Sequence, residues 1–252
     1  VLYVLDGQFM FPIIAGTRGG LDMANELEKV IIVCIGSGLD YTSWYVNRMY
    51  DYTTAIDTTS ENGTDKAFKL PKGTTRTGGA ERFLQCITKE IIPFVDLHYK
   101  TTNDRGITGH SLGGLFTAYC LLNSNGIFTK FGISSPSLWW DQDALIKQSN
   151  TQFSKNKSWE IPTTKVFMSV GKKEGPTMVP KMSEFASSLQ RAAYNNITLR
   201  TQIFDEETHL SVIPANVSRA LSSLYGKVNG MSNGNKKELS ALLYSGKTVD
   251  EV

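Results

Sequence analysis

Gly109-His110-Ser111-Leu112-Gly113-Gly114 is bracketed by two segments of opposite character. Ahead of it stands the short run Arg105-Gly106-Ile107-Thr108, itself preceded by an Asn103-Asp104 turn signal. Behind it, Leu115 to Leu122 is an apolar stretch of helix length. Strand, sharp turn and helix form the setting in which G-x-S-x-G acts as a nucleophile elbow. In so tight a turn, a Cβ at Gly109 or Gly113 is expected to collide with neighbouring backbone. Ser111 should then be held in a strained conformation, its hydroxyl leaving the sheet at the positive end of the next helix.

Working outward, apolar runs alternate with helical patterns along the whole chain. Val1 to Leu5 reads as a strand that ends in Asp6-Gly7-Gln8, and Leu21 to Lys29 as an amphipathic helix. Val30 to Ile35 is a continuous apolar run closed by Gly36-Ser37-Gly38, the pattern of a strand covered on both faces. From there to Thr77 lies a long polar stretch of little periodicity carrying Tyr41, Trp44, Tyr45, Arg48, Tyr50 and Tyr52. It is too aromatic for a disordered linker, and its rings either pin the loop or meet a substrate. Gly78 to Tyr99 is a helix that Pro93 should kink. Strands follow at Lys130–Ser134, Lys165–Val170 and Thr198–Asp205, with helices at Asp141–Gln148, Val179–Tyr194 and from Pro214 to Tyr225. Such alternation predicts one α/β domain over 1–225, built on a mostly parallel sheet with helices on both faces. Residues 226–252 read as a polar tail with a weak helical segment near Glu238–Tyr244.

Composition narrows the function. The 252 residues are 40% hydrophobic and 20% charged, with a net charge of +2. No clustered basic face suggests nucleic acid, and no apolar run reaches the length of a membrane span. Cys34, Cys86 and Cys120 sit in apolar segments without C-x-x-C spacing, so they read as small buried hydrophobes rather than a disulfide or zinc set. The chain opens on Val1 without an initiator Met, which suggests residues upstream and leaves the compartment open.

A serine at its free pKa is a poor nucleophile and needs a base that is itself oriented by a third group. Three histidines are available. His110 enters the turn beside Ser111 and should point elsewhere, and His98 ends a helix before the elbow. His209, in the loop after the final strand, stands where this chain order places its base. Glu174, three residues past Gly171, is the expected acid, with Asp141 the substitute. Asp205, Glu206 and Glu207 are close to His209 in sequence but awkward for its far nitrogen. The negative charge of a tetrahedral intermediate should meet the backbone N–H of Leu112 and that of Gln8, each donor worth ~3 kcal/mol of barrier.

With these pieces placed, the chain resembles the putative-esterase family of α/β-hydrolases, and within it the trilactone siderophore esterases. The match is carried by Leu5-Asp6-Gly7-Gln8, by residues 48–53 (RMYDYT) and 78–83 (GGAERF), by the elbow, by residues 134–140 (SSPSLWW), and by residues 208–212 (THLSV). The resemblance implies a serine carboxylic-ester hydrolase working through an acyl-enzyme without a cofactor, on a small-molecule ester. It also implies that Arg48 and Trp139 lie near the substrate, and that further strands stand upstream of Val1. A ferric catecholate would call for converging cations, for which Arg18, Arg48, Lys72 and Arg76 are the candidates. Feruloyl or acetyl carbohydrate esters, acyl transfer to an alcohol, and a non-catalytic binding role on the same fold are the alternatives.

Overall fold

The computed structural model describes residues 1–155 and 158–227. Six strands, β1 (Leu2–Val4), β2 (Ile32–Cys34), β3 (Gly106–His110), β4 (Lys130–Ser134), β5 (Thr164–Gly171) and β6 (Ile197–Phe204), form one sheet in the order β2-β1-β3-β4-β5-β6. Every pairing is parallel; Leu2 lies opposite both Ile32 and Gly106. Parallel neighbours need crossovers, and helices supply them on both faces.

The two-residue period of a strand sorts side chains between those faces. On β1, Tyr3 joins one core cluster and Leu2 and Val4 the other, with flanking Val1 and Leu5 on the side of Tyr3. The larger cluster packs against α2 (Tyr41–Asp51), α4 (Ala80–Cys86), α6 (Leu112–Asn123), α7 (Trp140–Lys155) and α8 (Met178–Ala192). The smaller lies under α1 (Gly7–Met23) and α9 (Val212–Tyr225). No helix among the described residues is long and apolar enough to cross a membrane.

Four expectations are corrected. The first helix is α1 at Gly7–Met23, not Leu21–Lys29. Its Pro12 and three glycines at 16, 19 and 20 obscured the apolar pair Met10 and Ile14 that it buries. Residues after it turn back, and Leu27 bridges Gly226. The polar stretch before Thr77 holds two helices, α2 and α3 (Thr58–Ala67). Both start on side-chain caps rather than on apolar periodicity. Asp40 and Ser43 form a capping box, and Asp57 accepts from the N–H groups of Thr59 and Ser60. The helix of 78–99 runs as α4, a π turn (Ile87–Ile91) and α5 (Ile92–His98). The missing N–H of Pro93 is absorbed there, with Ile92 N–H bonding back to Ile87. At the head of α7, Asp141, Gln142 and Asp143 all have positive φ, so the regular helix begins only after them.

The cysteines are unpaired; Cys120 is buried, whereas Cys34 and Cys86 are half-buried. The expected tail lies, from residue 228 onward, outside the described residues.

Candidate active site

Ser111 sits between β3 and α6 with φ 62° and ψ −118°, a region side chains rarely occupy. Such strain costs about 1–3 kcal/mol and persists only where neighbours over-determine it. Here they do: Ser111 N–H donates to Ser134 O at 3.0 Å, and its carbonyl accepts from Leu115 and Ser137 at 3.0 and 3.1 Å. The crowding falls partly where expected. A Cβ on Gly109 would stand 2.4 Å from Gly113 O. On Gly113, however, it would find only ordinary contact, 3.4 Å from Asp6 Oδ2. The second constrained glycine is Gly114, whose Cβ would meet Ser134 O at 2.5 Å.

The loop after β6 carries His209 to this serine. Its Nε2 lies 3.0 Å from Ser111 Oγ, and its Nδ1 lies 2.7 Å from Glu174 Oε2. Because a carboxylate accepts at Nδ1, that nitrogen carries the proton and Nε2 accepts from the serine hydroxyl. Glu174 leaves the end of β5, and its side chain has no exposed surface. Its second oxygen accepts from Ser135 Oγ and Gly171 N–H, both at 2.6 Å. Burial pushes this carboxyl up, but the hydrogen bonds from His209, Ser135 and Gly171 outweigh it and hold the group below the ordinary range. The two loops are locked together at Gly171, where any Cβ would stand 2.4 Å from Glu207 O. Asp141 is exposed and is not the partner of His209. Asp205 pairs with Lys172, Glu206 with Lys173, and Glu207 accepts from Ser211.

The turn after β1 is fastened from below. Asp6 takes the left-handed conformation, φ 54° and ψ 43°. Its Oδ1 accepts from Trp44 Nε1 at 2.8 Å and Arg48 Nε at 3.1 Å, and its Oδ2 from Arg48 Nη2 at 3.2 Å. Its N–H donates to the Tyr52 hydroxyl. Arg48 stacks 5.0 Å over Trp44 and approaches His110 O at 3.5 Å, so one buried network ties the β1 turn to the elbow. Burial alone would lower the guanidinium pKa, but Asp6 raises it and Arg48 stays charged. The N–H groups of Gln8 and Leu112 open α1 and α6, and among the described residues neither has a backbone acceptor.

His110 is buried behind the site, its ring centroid 4.6 Å from that of His209 and its Nδ1 3.1 Å from Ser134 Oγ. Burial, helped by His209, lowers its pKa to about 3. The unfolded chain takes up this proton near 6.5 and the folded chain only near 3, so folding stability should fall as pH drops through that window. His110→Gln should flatten this dependence. Urea midpoints at pH 7 and pH 4 test it, and an equal acid loss in both proteins would contradict it.

Ser111 opens into a cleft of about 380 Å³ shared with Arg48, Trp139 and Trp140. Arg48 and Trp139, expected near the substrate, line this cleft. One wall is aromatic. Tyr45 and Phe68 line it with centroids 5.0 Å apart, and the ring cluster continues beyond the lining through Tyr41–Trp44 at 5.3 Å and Phe9–Trp44 at 4.4 Å. A separate depression of about 580 Å³ among Arg18, Lys29, Lys100 and Lys227 shares no residue with it. The residues that sequence reasoning missed are Asp6 and Ser135. Both have positive φ, which a non-glycine rarely adopts and which no side-chain pattern announces.

Sheet order, elbow and the Ser111–His209–Glu174 line define an α/β-hydrolase. The chain belongs to the family described as Putative esterase, whose model matches residues 1–210. Ferri-bacillibactin esterase BesA of Bacillus subtilis is 32% identical over 149 residues, covering 57% of this chain and 51% of that protein. Apo-salmochelin esterase of Escherichia coli O6:H1 is 29% identical over 149 residues, 59% of this chain and 44% of that protein. The chain therefore spans about half the length of the curated relatives it matches. The crystal structure of BES protein from Bacillus cereus superposes with a TM-score of 0.75 at 26% identity, covering 89% of this chain and 83% of that one.

Proposed function

We propose that this chain is a serine esterase that opens ester bonds of a siderophore through an acyl-enzyme on Ser111. The observation that carries the reading is the 3.0 Å hydrogen bond from Ser111 Oγ to His209 Nε2, backed by Glu174 at Nδ1. His209 takes the hydroxyl proton as Oγ attacks the ester carbonyl carbon. Glu174 stabilises the imidazolium so formed, and the N–H groups of Leu112 and Gln8 receive the oxyanion. The imidazolium then protonates the departing alkoxide, leaving Ser111 acylated. Water, deprotonated by the same nitrogen, releases the acid and restores the hydroxyl. Family membership and relatives named for bacillibactin, enterobactin and salmochelin support the substrate class. Those relatives divide over the metal state of the siderophore, one being named for the ferri form and another for the apo form.

The test is covalent labelling. A fluorophosphonate should add stoichiometrically to Ser111, read by intact mass and peptide mapping. His209→Ala should slow labelling by at least about a hundredfold, because the unassisted hydroxyl is a poor nucleophile. Labelling elsewhere, or a His209→Ala variant that labels as fast as the parent, would sink the proposal.

A further inference from the structure

We propose that the cleft takes its siderophore ester in the uncharged, metal-free form and discriminates by charge against the anionic ferric complex. This rests on the esterase reading above. Three doubly deprotonated catechols around a trivalent metal leave three negative charges, whereas the metal-free catechols are essentially neutral near pH 7. Accepting the complex therefore requires cations whose charge is not already spent.

Among the described residues lining the cleft, Arg48 alone carries a full charge. Its guanidinium is committed in two hydrogen bonds to Asp6, and both side chains are under a tenth exposed. The nearest buried group behind Ser111 and His209 is another carboxylate, Glu174. Across the cleft, α3 turns Ser60, Gly63, Thr64 and Ala67 inward, the i, i+3, i+4, i+7 face of a helix, and none is charged. Lys66 lies off that face and is exposed to solvent, where its field is screened.

Cations on the loop that carries Glu174 and on α8 do not line the cleft and are themselves paired: Lys172 with Asp205, Lys173 with Glu206, and Lys181 with Asp143. Of the other three cations offered by the sequence, Arg18 pairs with Asp22 and lines the separate depression. Lys72 and Arg76 are exposed and do not line the cleft. A trianion would thus lose hydration without gaining an ion pair. A neutral aryl ester, by contrast, gains apolar contact with Tyr45, Phe68, Trp139 and Trp140.

Three substrates separate the outcomes on the full chain: 1-naphthyl acetate, a metal-free tris-catecholate trilactone, and its gallium(III) complex, which carries the ferric charge without redox chemistry. kcat/KM for the metal-free trilactone should exceed that for the gallium complex by at least about tenfold at low salt. Gly63→Lys places a free cation on the inner face of α3, where a Cβ meets nothing within 4 Å. It should narrow the ratio by about fivefold at low salt, and added salt should erase that gain. Equal or faster turnover of the gallium complex overturns the inference while the esterase reading stands. So does a ratio unmoved by the new lysine, which would make shape rather than charge the discriminator. Hydrolysis of 1-naphthyl acetate with neither trilactone form accepted overturns it too. Failure on all three substrates removes the esterase reading and this inference together.

Discussion

Replacing Ser111 by alanine should lower kcat for ester hydrolysis by a factor on the order of 10^4 to 10^6, with His209→Ala comparable and the double variant no worse than either. The reason is geometric. One hydroxyl and one imidazole meet at 3.0 Å, and neither has a substitute: His110 is buried and turned to Ser134, and His98 bonds Phe94 O on its own helix. Removing either member leaves only the cleft and the oxyanion donors proposed at Gln8 and Leu112, so the second loss should remove nothing more. The fold should survive, since the backbone hydrogen bonds that hold residue 111 at its strained φ involve no Ser111 side-chain atom. Steady-state kinetics on a purified variant with an unchanged circular dichroism spectrum would decide it. Residual turnover above ~1% of the parent would refute the role of the hydroxyl.

Asp6 is the second position with a large expected effect. It faces a buried guanidinium, and stripping the partner from a buried charge costs about 3–5 kcal/mol. Asp6→Ala should therefore lower the melting temperature by roughly 10 °C in a domain of this size. It should also lower kcat by about 10²-fold, because the left-handed turn before the Gln8 N–H, proposed above as an oxyanion donor, loses its anchor to Trp44 and Arg48. Asp6→Asn separates the two causes, since asparagine also tolerates positive φ and keeps an acceptor for Trp44 while removing the charge and the second acceptor that faces Arg48. Adding Arg48→Met to Asp6→Ala should recover stability, by deleting the stranded charge, without recovering kcat. A melting temperature for Asp6→Ala within about 2 °C of the parent would show that the network carries little energy.

The strands and the principal catalytic candidates were legible because each announces itself locally. β4 was located residue for residue, a short segment with Phe131 and Ile133 that runs straight into Ser135-Pro136-Ser137. Ser111, His209 and Glu174 were legible through chain order, each standing just past a strand end. What stayed hidden depends on contacts made at a distance. α2 and α3 are held by aspartate caps and by rings that meet Phe9 and Phe68, so their periodicity is weak. Asp6 looks like an ordinary turn residue until Arg48, 42 positions later, folds onto it. Arg48 could be assigned to the cleft by resemblance, but its pairing, which decides what charge the cleft presents, belongs to the folded molecule.

The wholly parallel sheet has a consequence for the chain as it is made. Leu2 finds its partner at Gly106, and Ser111 meets the His209 imidazole 98 residues further on. A ribosome will therefore have translated and released the elbow long before the imidazole emerges from its exit tunnel. Throughout that interval the hydroxyl is an ordinary alcohol. In the mechanism proposed here, a nascent chain whose His209 has not yet emerged can neither hydrolyse esters nor be trapped by an acyl donor.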